Sequence, residues 1–187
     1  NLNGHTEPIL SATFSADGKY ILSVGMDNTV KKWHISRHPM SFVQDINGIN
    51  DACFSPDGKR YITASSQENY ATIWDENGKN LAALKGNTKN TNILAISYSK
   101  DGNYIAGASE DGKLLLWKKQ SSYLDWTLRK TIILSEDTLK DVVFSPNSKY
   151  VVASSSDGKI GFYNMATLTK EWEILADETG INSIDFS

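Results

Sequence analysis

Three histidines and one cysteine are the residues of this chain best suited to acid–base, nucleophilic or metal chemistry. His34 and His38 stand four positions apart and could in principle share a metal ion, but we interpret both as solvated loop residues. Cys53 lies in an apolar stretch and is interpreted as a packed thiol that has no partner for an internal disulfide. The chain contains neither a Gly-x-Ser-x-Gly elbow nor a glycine loop that could cradle a phosphate. We therefore predict no catalytic residue, no metal and no cofactor.

The carboxylates recur in turns, within a phrase that the chain repeats. The phrase Phe14-Ser15-Ala16-Asp17-Gly18 returns in similar form from Phe54, from Tyr98 and from Phe144, and Phe186-Ser187 opens a fifth copy. The leading aromatic residues are 40 to 46 positions apart, and a self-similar period of this length is typical of repeat architectures. Repeat proteins usually build binding surfaces rather than reaction centres.

Each repeat contains four short segments with the composition of strands. In the first repeat the Asp-Gly turn precedes an apolar, β-branched segment at 20–24, and a segment at 29–33 alternates apolar with polar residues. No segment has a helical period. We predict an all-β chain of about sixteen strands plus the start of a seventeenth. Because a lone four-stranded sheet must cover both faces, radial stacking into a propeller is the expected arrangement.

Two motifs and one fixed offset identify a resemblance. Gly4-His5 precedes the first strand of the first repeat, and Trp74-Asp75 ends the third strand of the second. A turn acid stands six residues before an aromatic residue in every repeat, in the pairs Asp27 and Trp33, Glu68 and Trp74, Asp111 and Trp117, and Asp157 and Tyr163. Over essentially its whole length the chain resembles the WD-repeat β-propeller family. The resemblance implies four-stranded antiparallel blades forming about half of a seven-bladed ring, with repeats at 5–46, 47–86, 87–134 and 135–176, and the start of a fifth at 177–187.

The resemblance also implies a hydrogen-bonded network that supports each blade. Its members are the His, a Ser or Thr in the second strand, the turn acid and the Trp, and only the first repeat carries all four. By our alignment the Ser position becomes Ala64, Gly107 and Ala153 in later repeats, and the His position is vacant there. The predicted network residues are His5, Ser23, Asp27, Trp33, Glu68, Trp74, Asp111, Trp117 and Asp157.

A second set of residues is expected to contact partner proteins. In the family, partners touch residues beside the turn acid and residues that enter the first strand. These positions are Leu10, Met26, Asn50, Gln67, Leu94, Glu110, Lys140, Ser156 and Asn182. The loops around them are predominantly acidic and carry no arginine, so we expect basic peptide segments of other proteins to be favoured over acidic or phosphorylated ones.

The bulk composition restricts the remaining function classes. The net charge is −3, which disfavours direct binding of nucleic acid, and no apolar run is long enough to span a membrane. A single cysteine favours an intracellular setting, cytoplasmic or nuclear. We predict a protein–protein interaction scaffold in a multiprotein complex. The alternatives are a regulatory or sensing propeller attached to a catalytic domain outside this segment, and a propeller enzyme with a site in the central channel.

Overall fold

Sixteen short antiparallel strands make up the regular structure of the chain. The computed structural model describes residues 4–36, 40–44, 48–66, 70–86 and 91–186, and no helix occurs among them. The strands are β1 (Ile9–Phe14), β2 (Tyr20–Gly25), β3 (Thr29–His34), β4 (Met40–Gln44), β5 (Ile49–Phe54), β6 (Arg60–Ser65), β7 (Tyr70–Asp75), β8 (Asn80–Lys85), β9 (Ile93–Tyr98), β10 (Tyr104–Ser109), β11 (Lys113–Lys119), β12 (Trp126–Ile133), β13 (Leu139–Phe144), β14 (Tyr150–Ser155), β15 (Lys159–Asn164) and β16 (Thr169–Leu175).

Consecutive strands pair into four separate four-stranded sheets, which we call blades 1 to 4. Each blade is a meander in which the strands follow one another in chain order. The repeated phrase forms the turn between the first and second strands. There Ser15 Oγ donates to Asp17 at 2.6 Å and accepts the amide of Tyr20 at 2.9 Å, while Gly18 adopts a φ of +67° that favours glycine. We call the end of the blades with these turns the lower end, and the opposite end the upper end.

The blades stack face to face, with the core between them. The first strands are neighbours, since β1 contacts β5, β5 contacts β9 and β9 contacts β13. Three buried clusters lie between successive blades: Leu22, Val24 and Val30 of blade 1 pack on Ile49 and Trp74 of blade 2, for example, and similar clusters join blade 2 to 3 and blade 3 to 4. The all-β fold with propeller-type blades is therefore confirmed, and the ring within this segment is partial.

The face of blade 1 that turns away from blade 2 is open. Ile9 is 58% exposed, whereas Ile49, Ile93 and Leu139 at the same position of the later blades are 4%, 0% and 0% exposed. Each of those three is covered by the blade before it. The sequence of the chain thus supplies a blade-packing residue at Ile9 even though no described blade covers it.

The predicted start of a seventeenth strand is not a strand in the structure. The described residues after β16 run along β13, where the amide of Ile184 donates to Asp141 Oδ2 at 2.9 Å and the amide of Ile181 donates to the carbonyl of Ser155 at 3.3 Å. A first strand forms its ladder with the second strand of its own blade. Among the described residues there is no such strand for this segment to pair with.

Candidate functional site

The first blade is held at its upper end by a chain of four polar side chains. Trp33 Nε1 donates to Ser23 Oγ at 2.8 Å, Ser23 lies 2.7 Å from His5 Nε2, and His5 Nδ1 lies 3.0 Å from both carboxylate oxygens of Asp27. Because indole can only donate and carboxylate can only accept, a neutral imidazole carries its proton on Nδ1. The structure thus brings together all four residues that the sequence assigned to the network of the first repeat.

Asp27 is the acceptor at which this network ends. Besides His5 it accepts the hydroxyl of Thr29 at 2.7 Å and the amide of Thr6 at 3.0 Å, and Lys31 Nζ lies 3.6 Å away. Burial alone would raise the pKa of Asp27, but the hydrogen bonds from Thr29, His5 and Thr6 outweigh it and hold the pKa below its usual range. The carboxylate is therefore charged and fixes the loop before β1 against the turn after β2.

In blade 2 the equivalent of Ser23 is Thr63, and our assignment of Ala64 was wrong. Thr63 Oγ1 accepts the indole N–H of Trp74 at 2.9 Å. The alignment failed because it matched Tyr61 with Tyr20 by their aromatic character, whereas Arg60 occupies that place and donates its amide to Ser55 Oγ at 3.0 Å. Glu68 lies outside the described residues.

Blades 3 and 4 hold their turn acids without a histidine. Asp111 accepts the hydroxyl of Ser109 at 2.7 Å and pairs with Lys113, and Asp157 accepts the hydroxyls of Ser155 and of Ser135, the latter at 2.9 Å. Ser109 and Ser155 occupy the place that Gly25 has in blade 1. A serine two residues before the acid therefore replaces the imidazole, and this Ser-x-Asp pattern was a readable signal that sequence reasoning missed.

The indole of Trp117 is also satisfied differently. Its Nε1 donates to the carbonyl of Lys85 in blade 2, at 2.9 Å, because Gly107 provides no hydroxyl at the Ser23 position. Tyr163 takes the Trp position in blade 4, where Ala153 provides no hydroxyl at the Ser23 position. The buried hydroxyl of Tyr163 has no hydrogen-bond partner within the described part of the chain.

Four of the predicted partner-contact residues share one backbone feature at the upper end. Leu10, Asn50, Leu94 and Lys140 each lie at a β-bulge, where the pairing of the first strand with the second skips one residue. A bulge residue is left out of the ladder, so its side chain is re-aimed away from the sheet. Asn50 uses its amide to donate to the carbonyl of Ile93 at 2.8 Å, which links blade 2 to blade 3.

The predicted contact residues beside the turn acids lie next to these bulges. Met26, Glu110 and Ser156 donate their amides to Pro8, Asn92 and Thr138, two residues before the bulge, at 2.8 to 2.9 Å. In blade 2 the residue that makes this bond, to Gly48 at 3.0 Å, is Ser66. Gln67, which the sequence proposed for this position, lies outside the described residues. Asn182 lies in the segment that runs along β13 and is exposed.

The resulting surface is apolar at blade 1 and acidic around it. Leu10 and Met26 are 48% and 58% exposed. The turn acids of blades 1, 3 and 4 are paired with Lys31, Lys113 and Lys159 and add little free charge. The exposed charges of the described upper loops are six carboxylates and two ammonium groups: Glu7, Glu110, Glu136, Asp137, Asp177 and Glu178 against Lys85 and Lys140.

Among the residues that the structure describes, those suited to enzyme or metal chemistry do not converge. His5 is committed to the network, His34 accepts the amide of Ser36 at 3.2 Å and packs edge-on against Tyr20, and His38 lies outside the described residues. Burial raises the pKa of the Cys53 thiol. Within the part of the chain that the structure describes, no group of three or more His, Cys, Asp or Glu side chains could hold a metal ion. That same part contains no helix with the length and hydropathy to traverse a bilayer.

A pair of acids on the first strands also escaped sequence reasoning. Asp51 in β5 accepts the amide of Ile96 in β9 at 2.9 Å, and Asp141 in β13 accepts the amide of Ile184 and the hydroxyl of Ser183, each at 2.9 Å. Each carboxylate thus connects its own blade to the next segment of chain. The corresponding position is Ser11 in blade 1 and Ala95 in blade 3. Because the acid occurs only in blades 2 and 4, comparing one repeat with the next does not reveal it.

Comparison with known proteins agrees with this architecture. The family described as WD domain, G-beta repeat matches residues 1–34, 40–75, 78–118 and 126–164. Pre-mRNA-processing factor 19 homolog 2 of Arabidopsis thaliana is 31% identical over 183 residues, which cover 93% of this chain and 32% of the relative. Protein LST8 homolog of Drosophila pseudoobscura pseudoobscura is 26% identical over 185 residues, covering 95% of this chain and 58% of the relative. The chain thus spans about a third to three fifths of the length of these two relatives.

Proposed function

The chain belongs to the WD-repeat β-propeller family, and from this premise we propose that it is a protein-interaction scaffold that binds a basic segment of a partner protein at the upper end of its blades. One observation carries the proposal: all four first strands place a bulge residue at the upper end, and in blades 1, 3 and 4 that residue lies beside a turn held by a hydrogen-bonded acid. Loop ends fixed in this way lose little conformational entropy when a partner binds.

The chemistry of the surface supports a partner that is both basic and apolar. Leu10 and Met26 supply exposed apolar area at blade 1, where a large aliphatic side chain of the partner can be buried. The six exposed carboxylates attract lysine and arginine and speed the encounter, an effect that salt screens. The proposal includes an intracellular setting, cytoplasmic or nuclear, and membership of a larger complex, to which the single cysteine and the names of WD-repeat relatives lend support.

Fluorescence anisotropy with labelled peptides tests this proposal. A peptide of Lys and Arg around a central Leu should bind more tightly than one of Asp and Glu around the same Leu, and its affinity should fall with salt. The double variant Glu136→Lys/Asp137→Lys, which reverses two exposed upper charges, should weaken binding by about tenfold if each contact contributes somewhat under 1 kcal/mol.

A control variant reverses one carboxylate at the other end of the blades. Glu76 is exposed in the lower turn between β7 and β8, so Glu76→Lys should leave affinity for the basic peptide unchanged. Preference for the acidic peptide, or equal loss in Glu76→Lys and in the upper double variant, would show that the upper surface does not recognise basic segments.

A further inference from the structure

A second surface lies at the lower end, where the four repeated turns converge. A cavity of about 330 Å³ opens there between the first strands and is lined by residues of all four blades, among them Phe14, Phe54, Tyr98 and Phe144. Two prolines of the turns, Pro56 and Pro146, complete its apolar wall. The cavity is at the small end of ligand pockets, which suits one bulky side chain better than a cofactor.

This cavity continues outward into a groove between blades 2 and 3. A second cavity of about 160 Å³ shares Ser55, Pro56 and Tyr98 with the first and reaches Tyr123 and Trp126. The two cavities together form what we call the lower groove. Trp126 packs edge-on against Tyr98 with ring centroids 5.7 Å apart, so aromatic rings line both cavities.

An exposed aromatic ring stands at the outer end of the lower groove. Tyr123 is 44% exposed there. The guanidinium of Arg60 lies 4.3 Å from the centroid of the Tyr123 ring and holds it beside the groove. Exposed aromatic side chains in a concave apolar surface are characteristic of protein interfaces.

The charge available to a ligand in the lower groove is positive. Its two carboxylates are already engaged: Asp57 accepts the hydroxyl of Ser55 and pairs with Arg60, and Asp101 accepts the hydroxyl of Ser99 and the amide of Asn103. The charge of Asp57 is balanced by Arg60, whereas Asp101 keeps its charge and leaves the two lysines of the groove in excess by one.

The basic groups of the groove are less committed. Lys100 and Lys119 line it, and neither is in an ion pair with any carboxylate among the described residues. Burial raises the pKa of Asp101, but hydrogen bonds from Ser99 and Asn103 outweigh burial and lower this pKa below its usual value. Lys119 lowers the pKa of Asp101 only slightly further, from a longer distance. Arg60, in contrast, is already paired with Asp57 and stacked on Tyr123.

From these observations we infer that the lower groove binds an acidic segment of a protein through one aromatic side chain. The ring enters the central cavity among Phe54, Tyr98 and Phe144, and flanking carboxylates meet Lys100 and Lys119. The occupant is an acidic protein segment because its charge complements the two lysines and an apolar ring complements the aromatic floor. The inference goes beyond the binding of basic segments at the upper end, since it gives the two ends of the blades partners of opposite charge.

Titration with defined peptides tests the inference on the intact chain. The probe is a fluorescein-labelled peptide of Asp and Glu around a central Phe, and the comparison peptide has Ser in place of Phe. The double variant Lys100→Glu/Lys119→Glu should weaken binding of the Phe peptide by about tenfold, and so should replacing the Phe by Ser. Lys100 is exposed and Lys119 is half-buried, so circular dichroism is recorded to check that the sheet signal of the variant is unaltered.

The matched control is Lys149→Glu, which reverses an exposed charge at the same end of blade 4 but outside the lower groove. It should leave affinity within about twofold of the original protein. Equal weakening by Lys149→Glu and by the double variant, or equal affinity for the Phe and Ser peptides, would overturn the inference. The upper variant Glu136→Lys/Asp137→Lys should not weaken this peptide, so failure here and failure of the upper site are distinguishable.

Discussion

Replacing Gly25 with serine is expected to break the polar network of blade 1, although serine is the natural residue at this position in blades 3 and 4. A Cβ on Gly25 would lie 2.5 Å from His5 Nδ1 and 2.8 Å from Asp27 Oδ1. His5 cannot move aside without cost, because it is held by Ser23 and Asp27 at 2.7 and 3.0 Å. Losing those bonds and straining the site should lower the free energy of unfolding by about 2–4 kcal/mol.

Thermal melts followed by circular dichroism measure this change. For a chain of this size, 1 kcal/mol corresponds to roughly 2–4 °C in Tm, so Gly25→Ser should melt about 4–16 °C lower. His5→Ala should also be destabilising, since it removes a donor from Asp27 and an acceptor from Ser23. The informative protein is the double variant His5→Ala/Gly25→Ser, in which the new hydroxyl can donate to Asp27 as Ser109 does to Asp111.

A double-mutant cycle provides the control. Because the serine clashes only when the imidazole is present, the double variant should lose at least about 1 kcal/mol less than the sum of the two single losses. Additive losses, or a Gly25→Ser protein that melts like the original, would refute the idea that glycine and serine at this position are chosen by the presence of histidine.

Two further predictions concern buried polar groups. Burial raises the pKa of Asp51 to about 6 despite hydrogen bonds from Ile96, Ser11 and Ala52, with Asp141 adding a smaller contribution, so the folded state holds a proton more tightly than the unfolded one. The contribution of Asp51 to the free energy of unfolding should therefore fall as pH rises through about 6. Measured by urea titration between pH 4 and 7, the free energy of unfolding of Asp51→Asn should rise by up to about 3 kcal/mol relative to that of the original protein. Parallel pH profiles of the two proteins would contradict this. Tyr163→Phe removes a buried hydroxyl without a partner among the described residues and should leave Tm unchanged or raise it by a few degrees, because desolvation of that hydroxyl is relieved; a clear fall in Tm would mean that the hydroxyl is satisfied in solution.

The blades could be predicted from the sequence because their signals are local. An Asp-Gly turn, a β-branched segment and a Trp at fixed offsets all lie within one repeat. In the structure of the first repeat the Asp-Gly pair lies in the turn between β1 and β2, the β-branched segment forms β2, and the Trp lies in β3. The details that failed depend on contacts across the sheet. Thr63 was missed because the extra residue of the second repeat lies between Thr63 and Trp74, and aromatic identity at Tyr61 hid the shift.

The sequence predicted which residues lie at the upper end of the blades, but it did not predict the backbone features that position them. The spacing from the turn acid placed Met26, Glu110 and Ser156 at the upper end, yet it could not show that Leu10 and Lys140 lie on bulges, because a bulge appears only when two strands are paired. The lower groove combines Phe14 with Phe144, which are 130 positions apart in the chain. Only stacking of the blades brings such distant turns around one cavity.

The bulge at the start of each first strand separates two kinds of evolutionary constraint. The residue just before it is aliphatic in all four blades (Ile9, Ile49, Ile93 and Leu139), whereas the bulge residue itself is Leu, Asn, Leu and Lys. Because the bulge residue lies outside the ladder, a substitution there leaves the strand pairing intact, although at Asn50 it would remove the hydrogen bond to Ile93. The side chains presented at this end of the blades can therefore differ from blade to blade within one fold.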